Sequence, residues 1–411
     1  MRLVTAALVR RNTAFLALGM ACLSGMIQLV AALSTITFVQ VTGVEALLGL
    51  GAALVLSSMA AASFPAGHAM DRHGRVPVLL VGFAGGAIGA ALVALAVTAD
   101  SPIPAIPGFA LIGAANGVVN LSRTAASDMY PVERRARGIA IVIFGSVFGA
   151  ILGPALFTPL FGQDDAGSGT LAVGWLAGGA IMLLGMGIVS RVRLPTVDRA
   201  PDGSAGTSDT GTEAVPGSET PLSELLTRPG VIPALAAAVA SFAVMVAVMN
   251  LSGQVVVSHG HERHEVFPVI SAHIVGMFGL VLIVGQIVDR IGRPIALAGG
   301  LLVVALSCAS LAWVTSIPAT AVALFGLGLG WSFSYVAATA QLSDATVEAE
   351  RGRMLGFSDA LSAGTGAVLA LAGGYALSTA GVATLGVAMA TIALLPVSWY
   401  AAAATLRPAR V

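Results

Sequence analysis

Residues 67–75 read GHAMDRHGR and place Asp71, Arg72 and Arg75 between two long apolar stretches. The same G-x-x-x-D-R-x-G-R frame returns as GQIVDRIGR at residues 285–293, 218 positions later. Charge is rare elsewhere, because only 10% of the 411 residues are charged. A charged motif that occurs twice in such a chain indicates an internal repeat.

The composition predicts an all-α integral membrane protein. Hydrophobic residues make up 57% of the chain, whereas a soluble protein carries roughly a quarter of charged residues. Apolar runs of about 20 residues recur, and each is long enough to cross ~30 Å of hydrocarbon as a helix. A helix satisfies its own backbone hydrogen bonds in lipid. The runs are too long and too uniform for the alternating strands of a barrel.

Twelve membrane spans are predicted. Their approximate limits are 13–40, 43–66, 76–98, 103–127, 138–160, 171–192, 230–257, 266–288, 294–315, 317–341, 354–378 and 381–404. The basic start of the chain resembles a signal peptide. Its apolar run continues past residue 35, however, so we interpret it as an uncleaved first span.

The arginines predict the orientation. All but two of the 20 basic residues, which are all arginine, lie before span one, after an even-numbered span or in the tail. The exceptions are Arg263, in an opposite-side loop, and Arg123, within span four. Excess arginine marks the cytoplasmic side. We therefore expect a plasma-membrane protein with both termini and the central loop in the cytoplasm, and an odd number of spans would scramble this segregation.

The chain divides into two halves. Residues 195–228 are rich in Pro, Gly, Ser, Thr and acids, which predicts a flexible cytoplasmic linker between domains 1–194 and 229–411. Near its end, Thr220 is expected to cap a short helix that starts at Pro221.

The two halves match in their charges. Asp128 and Asp344 are 216 positions apart, as are Arg135 and Arg351. With the two charged motifs, these pairs follow the second and fourth spans of each half. We infer parallel repeats, and therefore two pseudo-symmetric six-helix bundles.

Over essentially its whole length the chain resembles the major facilitator superfamily. The motif at 67–75 is a specific match to the loop that characterises the family. In span five, the G-x-x-x-G-P pattern formed by Gly149, Gly153 and Pro154 resembles a motif of the drug:proton antiporter branch. The family pattern continues with a glycine pair, where this chain has Phe157 and Thr158.

The resemblance implies a secondary transporter whose two bundles rock about a central cavity. It favours proton-coupled efflux of a small drug-like or amphipathic compound. Uptake of a small metabolite by proton symport or facilitated diffusion is the alternative, and a membrane sensor or scaffold is a third. We expect a monomer in the lipid bilayer, driven by the proton gradient, with no catalytic residue, metal, cofactor or nucleic-acid partner. The chain has no GxxxxGK[ST] motif and no lysine to complete one.

The resemblance also implies a latch between the halves on the cytoplasmic side. Asp71 would face the start of span eleven, near residues 354–357, where a helix N-terminus attracts negative charge, and Arg75 would pair with Asp128. By the repeat, Asp289 would face the start of span five near Gly138. The predicted latch comprises Gly67, Asp71, Arg72, Gly74, Arg75, Asp128, Asp289, Arg290, Arg293 and Asp344.

Spans one, four, seven and ten should surround the cavity. The candidate substrate-binding residues in them are Gln28, Asn116, Asn120, Arg123, Asn250, Gln254, Trp331 and Tyr335. Asn116, Asn120 and Arg123 fall on one helical face. Arg123 either binds an anionic group of the substrate or pairs internally, with Asp128 as the expected partner.

Two residues are candidates for proton coupling, because polar groups at membrane depth are costly and mark pathways. Asp359 lies early in span eleven and otherwise extends the charge network. His273 lies in span eight, and histidine titrates near physiological pH. Its alternative role is a packing residue with a hydrogen bond.

Overall fold

The computed structural model describes residues 6–43, 50–161, 168–194, 220–262 and 265–405, and this part of the chain is helical without strands. The helices are α1 (Ala6–Thr42), α2 (Leu50–His73), α3 (Arg75–Thr98), α4 (Pro102–Asn120), α5 (Ser122–Met129), α6 (Arg135–Phe161), α7 (Ser168–Val189), α8 (Leu222–Thr227), α9 (Val231–Ser258), α10 (Val266–Ile274), α11 (Val281–Ile291), α12 (Arg293–Ser310), α13 (Ile317–Asp344) and α14 (Glu348–Thr405). A 3₁₀ turn, Val132–Arg134, precedes α6, and a π-helical segment, Val275–Gly279, joins α10 to α11.

These helices account for the twelve predicted spans. Nine described segments are long and apolar enough to cross a membrane, or ten when the pair α10–α11, bent by 46°, counts as one. One segment, Glu348–Ser398, has 51 residues and contains a non-helical Gly381 at φ 80°, so it supplies spans eleven and twelve. The 27-residue α6 supplies span five. Span four is α4 followed by α5.

The helices form two six-helix bundles with equivalent contacts between them. Within the first bundle α1 packs on α6 and α3 packs on α4 and α7; within the second, α9 packs on α14 and α12 on α13. Between the bundles, α2 packs on α14 and α6 on α11. The first contact joins span two to span eleven, and the second joins span five to span eight. The internal repeat relates the two contacts to each other. The fold class predicted from the sequence is therefore confirmed.

Glycine permits the closest approach between the bundles. A Cβ atom on Gly67 would overlap the carbonyl oxygen of Gly352, so α2 and α14 touch through their backbones. The equivalent Gly285 of α11 faces Ala136 of α6, where a Cβ would lie 3.0 Å from the carbonyl oxygen. The loops of both charged motifs turn at a glycine of positive φ, Gly74 at 87° and Gly292 at 88°, which L-residues rarely adopt.

The end of the linker differs from its prediction. Residues 195–219 lie outside the described residues. The short helix α8 begins at Leu222 after Pro221, without a side-chain cap, so the prediction that Thr220 caps it is wrong. The Thr220 hydroxyl instead donates to Glu350 Oε1 over 2.8 Å. The physical reason is that the helix starts one residue later than predicted, so Pro221, which has no side-chain acceptor, occupies the capping position and Thr220 lies before it.

Candidate functional site

A cavity of about 590 Å³ lies between the two bundles. Helices from both halves line it, including α1, α2, α4 and α6 of the first and α9, α10 and α13 of the second. Most of the lining is aliphatic side chains and methionine, and the polar groups lie among them. The polar lining residues are Ser24, Gln28, Ser34, Asn116, Asn120, Arg123, Ser146, Asn250 and Tyr335, with the indole of Trp331.

Seven of the eight predicted substrate-binding residues line this cavity. Gln254 does not belong to the described lining and is exposed. It lies one turn beyond Asn250 on α9, and four residues advance a helix by about 6 Å. That step carries Gln254 past the cavity. The part that these residues play in binding a substrate stays a prediction.

A chain of polar contacts runs along the wall formed by span four. Asn116 Nδ2 donates to Met59 Sδ at 3.4 Å, and Asn120 Nδ2 donates to Asn116 Oδ1 at 2.6 Å. The helix breaks at Leu121, where ψ is 0°, and α5 begins at Ser122. Across this break Arg123 Nη1 donates to the carbonyl oxygen of Asn120 at 2.7 Å. The three predicted polar residues of span four therefore form one connected series.

The opposite wall is aromatic. The rings of Trp331 and Tyr335 stack with centroids 4.7 Å apart at 18°, because they are one helical turn apart on α13. Phe278, from the π-helical segment, meets Trp331 edge to face at 5.9 Å. The guanidinium of Arg123 lies 4.9 Å from the centre of the Tyr335 ring, within cation–π distance. The aromatic wall ends on Arg123.

Arg123 forms a buried ion pair with Asp359, and the two belong to different bundles. Nη2 of Arg123 lies 2.5 Å from Asp359 Oδ1, and the two residues are 2% and 4% exposed. The prediction that Arg123 pairs with Asp128 is wrong. Asp128 lies at the end of α5 and is occupied by Arg75 and Arg351, whereas Arg123 points across to α14. Asp359 is therefore the partner of Arg123 in a separate ion pair, and its part in proton coupling remains a prediction.

His273 is fully buried on α10 and is not part of the described cavity lining. Its Nδ1 lies 2.9 Å from the carbonyl oxygen of Leu324 on α13. Its Nε2 is buried without a hydrogen-bond partner among the described residues. This environment is that of a packing residue with one hydrogen bond, which was the alternative role considered for it.

The first charged motif closes one end of the molecule, here called the arginine-rich end. Asp71 accepts the backbone N–H groups of Gly352 at 2.8 Å and Arg353 at 2.6 Å, near the start of α14. Arg75 bonds Asp71 at 2.5 Å and Asp128 at 2.9 Å. The Nη2 of Arg75 also donates to the carbonyl oxygen of Glu348 in the other bundle. These contacts join the two halves.

The second motif makes the equivalent contacts. Asp289 accepts the backbone N–H groups of Ala136 at 3.2 Å and Arg137 at 2.9 Å, at the start of α6. Arg293 bonds Asp289 at 2.8 Å and Asp344 at 3.2 Å, and donates to the Val132 carbonyl oxygen. Arg72 and Arg290 lie at exposed positions on equivalent turns. The contacts are those that the resemblance implied; their action as a latch remains a prediction.

Each latch aspartate at the end of span four or ten is shared between the bundles. Arg351 Nη1 lies 2.7 Å from Asp128 Oδ1, and Arg135 pairs with Asp344. Arg135 and Arg351 are repeat equivalents, 216 positions apart, but the sequence does not indicate their partners.

A further cluster joins the end of the linker to α14, and sequence reasoning missed it. Arg228 bonds both Glu350 oxygens, at 2.5 and 2.9 Å, and Arg353 donates to the Thr220 carbonyl oxygen. The hydrogen bonds to Glu350 raise the pKa of Arg228 above its ordinary value. Arg353 has a repeat equivalent in Arg137, but the positions 216 residues before Arg228 and Glu350 are Asn12 and Arg134, so the repeat does not indicate this ion pair.

The span-five motif packs against α1. A Cβ on Gly149 would lie within 2.6 Å of atoms of Ser24 and Gly25, and the preceding Gly145 faces the Ala17 carbonyl oxygen. Gly153 and Pro154 continue the same helix, α6. The described part of the motif thus allows close packing of spans one and five.

The described residues contain no group of three or more His, Cys, Asp or Glu side chains that could bind a metal ion.

The sequence model of one protein family, the Major Facilitator Superfamily, matches residues 12–358 and 260–410 of this chain. The riboflavin transporter RfnT of Brucella anthropi is 28% identical over 92% of this chain and 91% of its own. The uncharacterised MFS-type transporter YdeG of Bacillus subtilis is 30% identical over 80% of this chain and 76% of its own. The solved structure of the proton:xylose symporter XylE superposes with a TM-score of 0.76 at 14% identity, covering 97% of this chain and 96% of that one.

Proposed function

The chain belongs to the major facilitator superfamily of transporters, and we propose that it carries a flat heteroaromatic solute of the riboflavin class through the cavity between its bundles. Riboflavin combines a planar three-ring system with a polyhydroxylated chain. The similarity to the Brucella anthropi riboflavin transporter supports this solute class. A volume of about 590 Å³ falls within the range of roughly 300–1,000 Å³ that is typical of sites for small organic ligands.

The observation that carries the proposal is the division of the cavity into an aromatic and a polar side. The Trp331 and Tyr335 rings offer a flat surface on α13, on which a planar ring system can stack. The amides of Asn116, Asn120 and Asn250 offer donors and acceptors for ring carbonyls and hydroxyls. An aromatic solute with a polar tail satisfies both sides at once.

The charge of the cavity supports an uncharged solute. Arg123 is the one charged residue in the described lining, and Asp359 neutralises it. A solute with a net charge would enter this apolar space without a free counter-ion, at a large desolvation cost.

We further propose alternating access with the latch on the cytoplasmic side. The arginine distribution supports this orientation, and the structure then corresponds to the state closed towards the cytoplasm. Opening that end requires the contacts of Asp71 and Asp289 to break. Contacts whose net energy is a few kcal/mol suit this role, because a shift of that size reverses a two-state equilibrium. In this proposal the protein acts as a monomer in the plasma membrane, with domains 1–194 and 229–411 as the moving bodies.

Proton-coupled efflux of drug-like compounds is the second candidate function. One observation favours it: five methionines line the cavity, Met20, Met59, Met245, Met249 and Met277. Methionine adapts to differently shaped apolar partners and is over-used at promiscuous surfaces. Uptake and efflux make opposite predictions for the direction of riboflavin movement under a pH gradient.

Binding is tested first, by the quenching of riboflavin fluorescence on titration with the purified protein. Trp331→Ala removes the stacking surface and should weaken binding by roughly tenfold, the equivalent of the ~1.4 kcal/mol that aromatic pairs contribute. Trp313→Ala is the matched control, because Trp313 is 75% exposed and lies outside the cavity lining. Equal affinities for both variants would contradict the proposed binding surface.

Transport is then measured in proteoliposomes with an imposed pH gradient of either sign. If an inward-directed proton gradient makes riboflavin accumulate inside the vesicles, the protein is a symporter. If the same gradient drives riboflavin out of the vesicles, the protein is an antiporter. Absence of riboflavin binding, together with binding of unrelated amphipathic compounds, would replace the first proposal by the second.

A further inference from the structure

The Arg123–Asp359 pair differs from the latch in having no counterpart under the repeat. Every latch contact has an equivalent in the other half, as for Arg75–Asp128 and Arg293–Asp344. At the repeat spacing of 216, the positions equivalent to Arg123 and Asp359 are Thr339 and Ile143, which cannot form an ion pair. The ion pair is therefore an asymmetric contact between the bundles, unlike the latch.

Its position also differs from that of the latch. Arg123 lines the cavity, whereas Asp71, Asp128, Asp289 and Asp344 are not part of the described lining. The pair still crosses from α5 in the first bundle to α14 in the second. It is thus an inter-bundle contact that a solute in the cavity can reach through its neighbours.

Two supports hold Arg123 in place, and both line the cavity. On one side Arg123 Nη1 donates to the Asn120 carbonyl oxygen across the helix break, and the Asn120 side chain donates to Asn116. On the other side the guanidinium lies over the Tyr335 ring, which stacks on Trp331. A solute that bonds the amides and stacks on the rings contacts both supports.

The ion pair is incompletely satisfied in this state. Nε of Arg123 and Oδ2 of Asp359 are buried without hydrogen-bond partners among the described residues. Unpaired atoms of buried charged groups are costly, and a buried ion pair offsets its desolvation cost only when the remaining polar atoms are bonded. A small displacement of either support is therefore enough to favour separation of the pair.

We propose that Arg123 and Asp359 form a solute-controlled tie between the bundles, with Asn120 and Tyr335 as its positioning residues. In the empty protein the supports align Arg123 on Asp359, and the arginine-rich end stays closed. A bound solute displaces the supports, the tie separates, and the latch alone opposes opening. This inference rests on the proposed function in one respect, the use of riboflavin as the solute.

The tie is tested by measuring the distance across the arginine-rich end by double electron–electron resonance. Spin labels are attached to His73→Cys and Val347→Cys, two exposed positions in different bundles. The background carries Cys22→Ala and Cys308→Ala, which removes the two native, buried cysteines. The open fraction is measured in nanodiscs with and without saturating riboflavin.

Removing the tie should open this end without solute. Asp359→Asn leaves Arg123 as an unpaired buried charge, which destabilises the protein in itself, so the decisive variant is the double substitution Arg123→Gln, Asp359→Asn. We expect its open fraction to rise about tenfold without riboflavin and to change less than about twofold on adding it, whereas the parent should open at least about fivefold with riboflavin. Thr339→Val, at the position equivalent to Arg123, is the matched control and should behave as the parent.

Tyr335 distinguishes positioning from packing. The open fraction is compared without riboflavin: Tyr335→Phe keeps the ring face under the guanidinium and should stay closed, while Tyr335→Leu should open as the double variant does. A double variant that stays closed without riboflavin overturns the inference, and so does a Tyr335→Leu variant that stays closed without riboflavin. The comparison without solute is independent of riboflavin, so a parent that fails to bind riboflavin counts against the proposed function and leaves the tie to be judged by that comparison.

Discussion

Asp71 and Asp289, 218 positions apart in the chain, each accept two backbone N–H groups at the start of a helix in the opposite bundle. Asp71 reaches Gly352 and Arg353, and Asp289 reaches the repeat-equivalent residues Ala136 and Arg137. The two carboxylates therefore lie at equivalent places on the two sides of the interface. Each adds negative charge where the helix dipole favours it.

This arrangement predicts that Asp71→Asn weakens closure of the arginine-rich end. The amide retains one acceptor oxygen but loses the charge that bonds Arg75 and two N–H groups. Across the interface Asp71 bonds the N–H groups of Gly352 and Arg353, and the single amide oxygen can keep one of the two. A hydrogen bond to a charged group contributes about 1.5–3 kcal/mol, so the open fraction should rise by roughly 10- to 150-fold. Distance measurement between spin labels at His73→Cys and Val347→Cys reports this fraction.

By the repeat, Asp289→Asn should have a similar effect. Arg191→Gln, at an exposed position after α7 and outside the latch, is the control for a change of charge at this end. A latch would be contradicted if Asp71→Asn and Arg191→Gln left the open fraction and the transport rate equally unchanged.

Substitution of Gly67 should have a different effect, because it should prevent the arginine-rich end from closing. A Cβ there would overlap the Gly352 carbonyl oxygen, and neither backbone can move without separating α2 from α14. Overpacking costs about 1–3 kcal/mol or more, so Gly67→Ala should accumulate in the open state and transport at least about tenfold more slowly. Gly85→Ala in α3, where a Cβ meets nothing within 4 Å, should transport normally.

The contacts of the latch could be expected because the motif at 67–75 resembles the loop that characterises the family, and that resemblance implies the pairing of Arg75 with Asp128. The second copy of the charged frame, with Asp344 216 positions after Asp128, extends the expectation to the other half. The cavity residues were also within reach, since Asn116 and Asn120 are polar groups on one face of an apolar span. Helical periodicity and internal repetition can both be read from the sequence without knowledge of how the helices pack.

The Arg123–Asp359 pair could not be predicted in the same way. Its members are 236 positions apart, they lack repeat partners, and Asp128 is much nearer to Arg123 along the chain. Only the packing of α5 against α14 decides between the two acids. Likewise, the distance of Gln254 from the cavity depends on how deep the cavity extends along α9, which no sequence pattern records.

The polar wall predicts a measurable contribution to affinity. Asn120→Ala removes the amide that donates to Asn116, and a single hydrogen bond contributes about 0.5–1.5 kcal/mol, so riboflavin should bind roughly 2- to 10-fold more weakly. Fluorescence titration measures this. Gln254→Ala, exposed and outside the described lining, is the matched control, and a comparable loss there would show that the solute binds elsewhere.

The linker cluster predicts an effect on stability. Glu350 accepts two bonds from Arg228 and one from Thr220, so Glu350→Gln leaves the half-buried guanidinium without its counter-charge. The expected loss is about 1–3 kcal/mol, seen as a fall of several degrees in the melting temperature of the purified protein. Glu133→Gln, an exposed acid in the turn before α6, should melt with the parent; if both variants melt together, the cluster contributes nothing to the fold.

His273 and Asp359 are the two candidates for the proton-coupling residue, and their substitutions should have opposite effects. His273 has no contact with the described cavity, and a proton on its unpartnered Nε2 would create a buried charge without a counter-ion. His273→Asn keeps a donor for the Leu324 carbonyl oxygen, so transport driven by a pH gradient should continue with an unchanged pH profile. Asp359→Asn and the double variant Arg123→Gln, Asp359→Asn are measured in the same proteoliposomes. If Asp359 exchanges the proton, riboflavin transport by both variants should no longer depend on the pH gradient. A pH profile that shifts in His273→Asn and persists in both Asp359 variants would assign the proton to His273 instead.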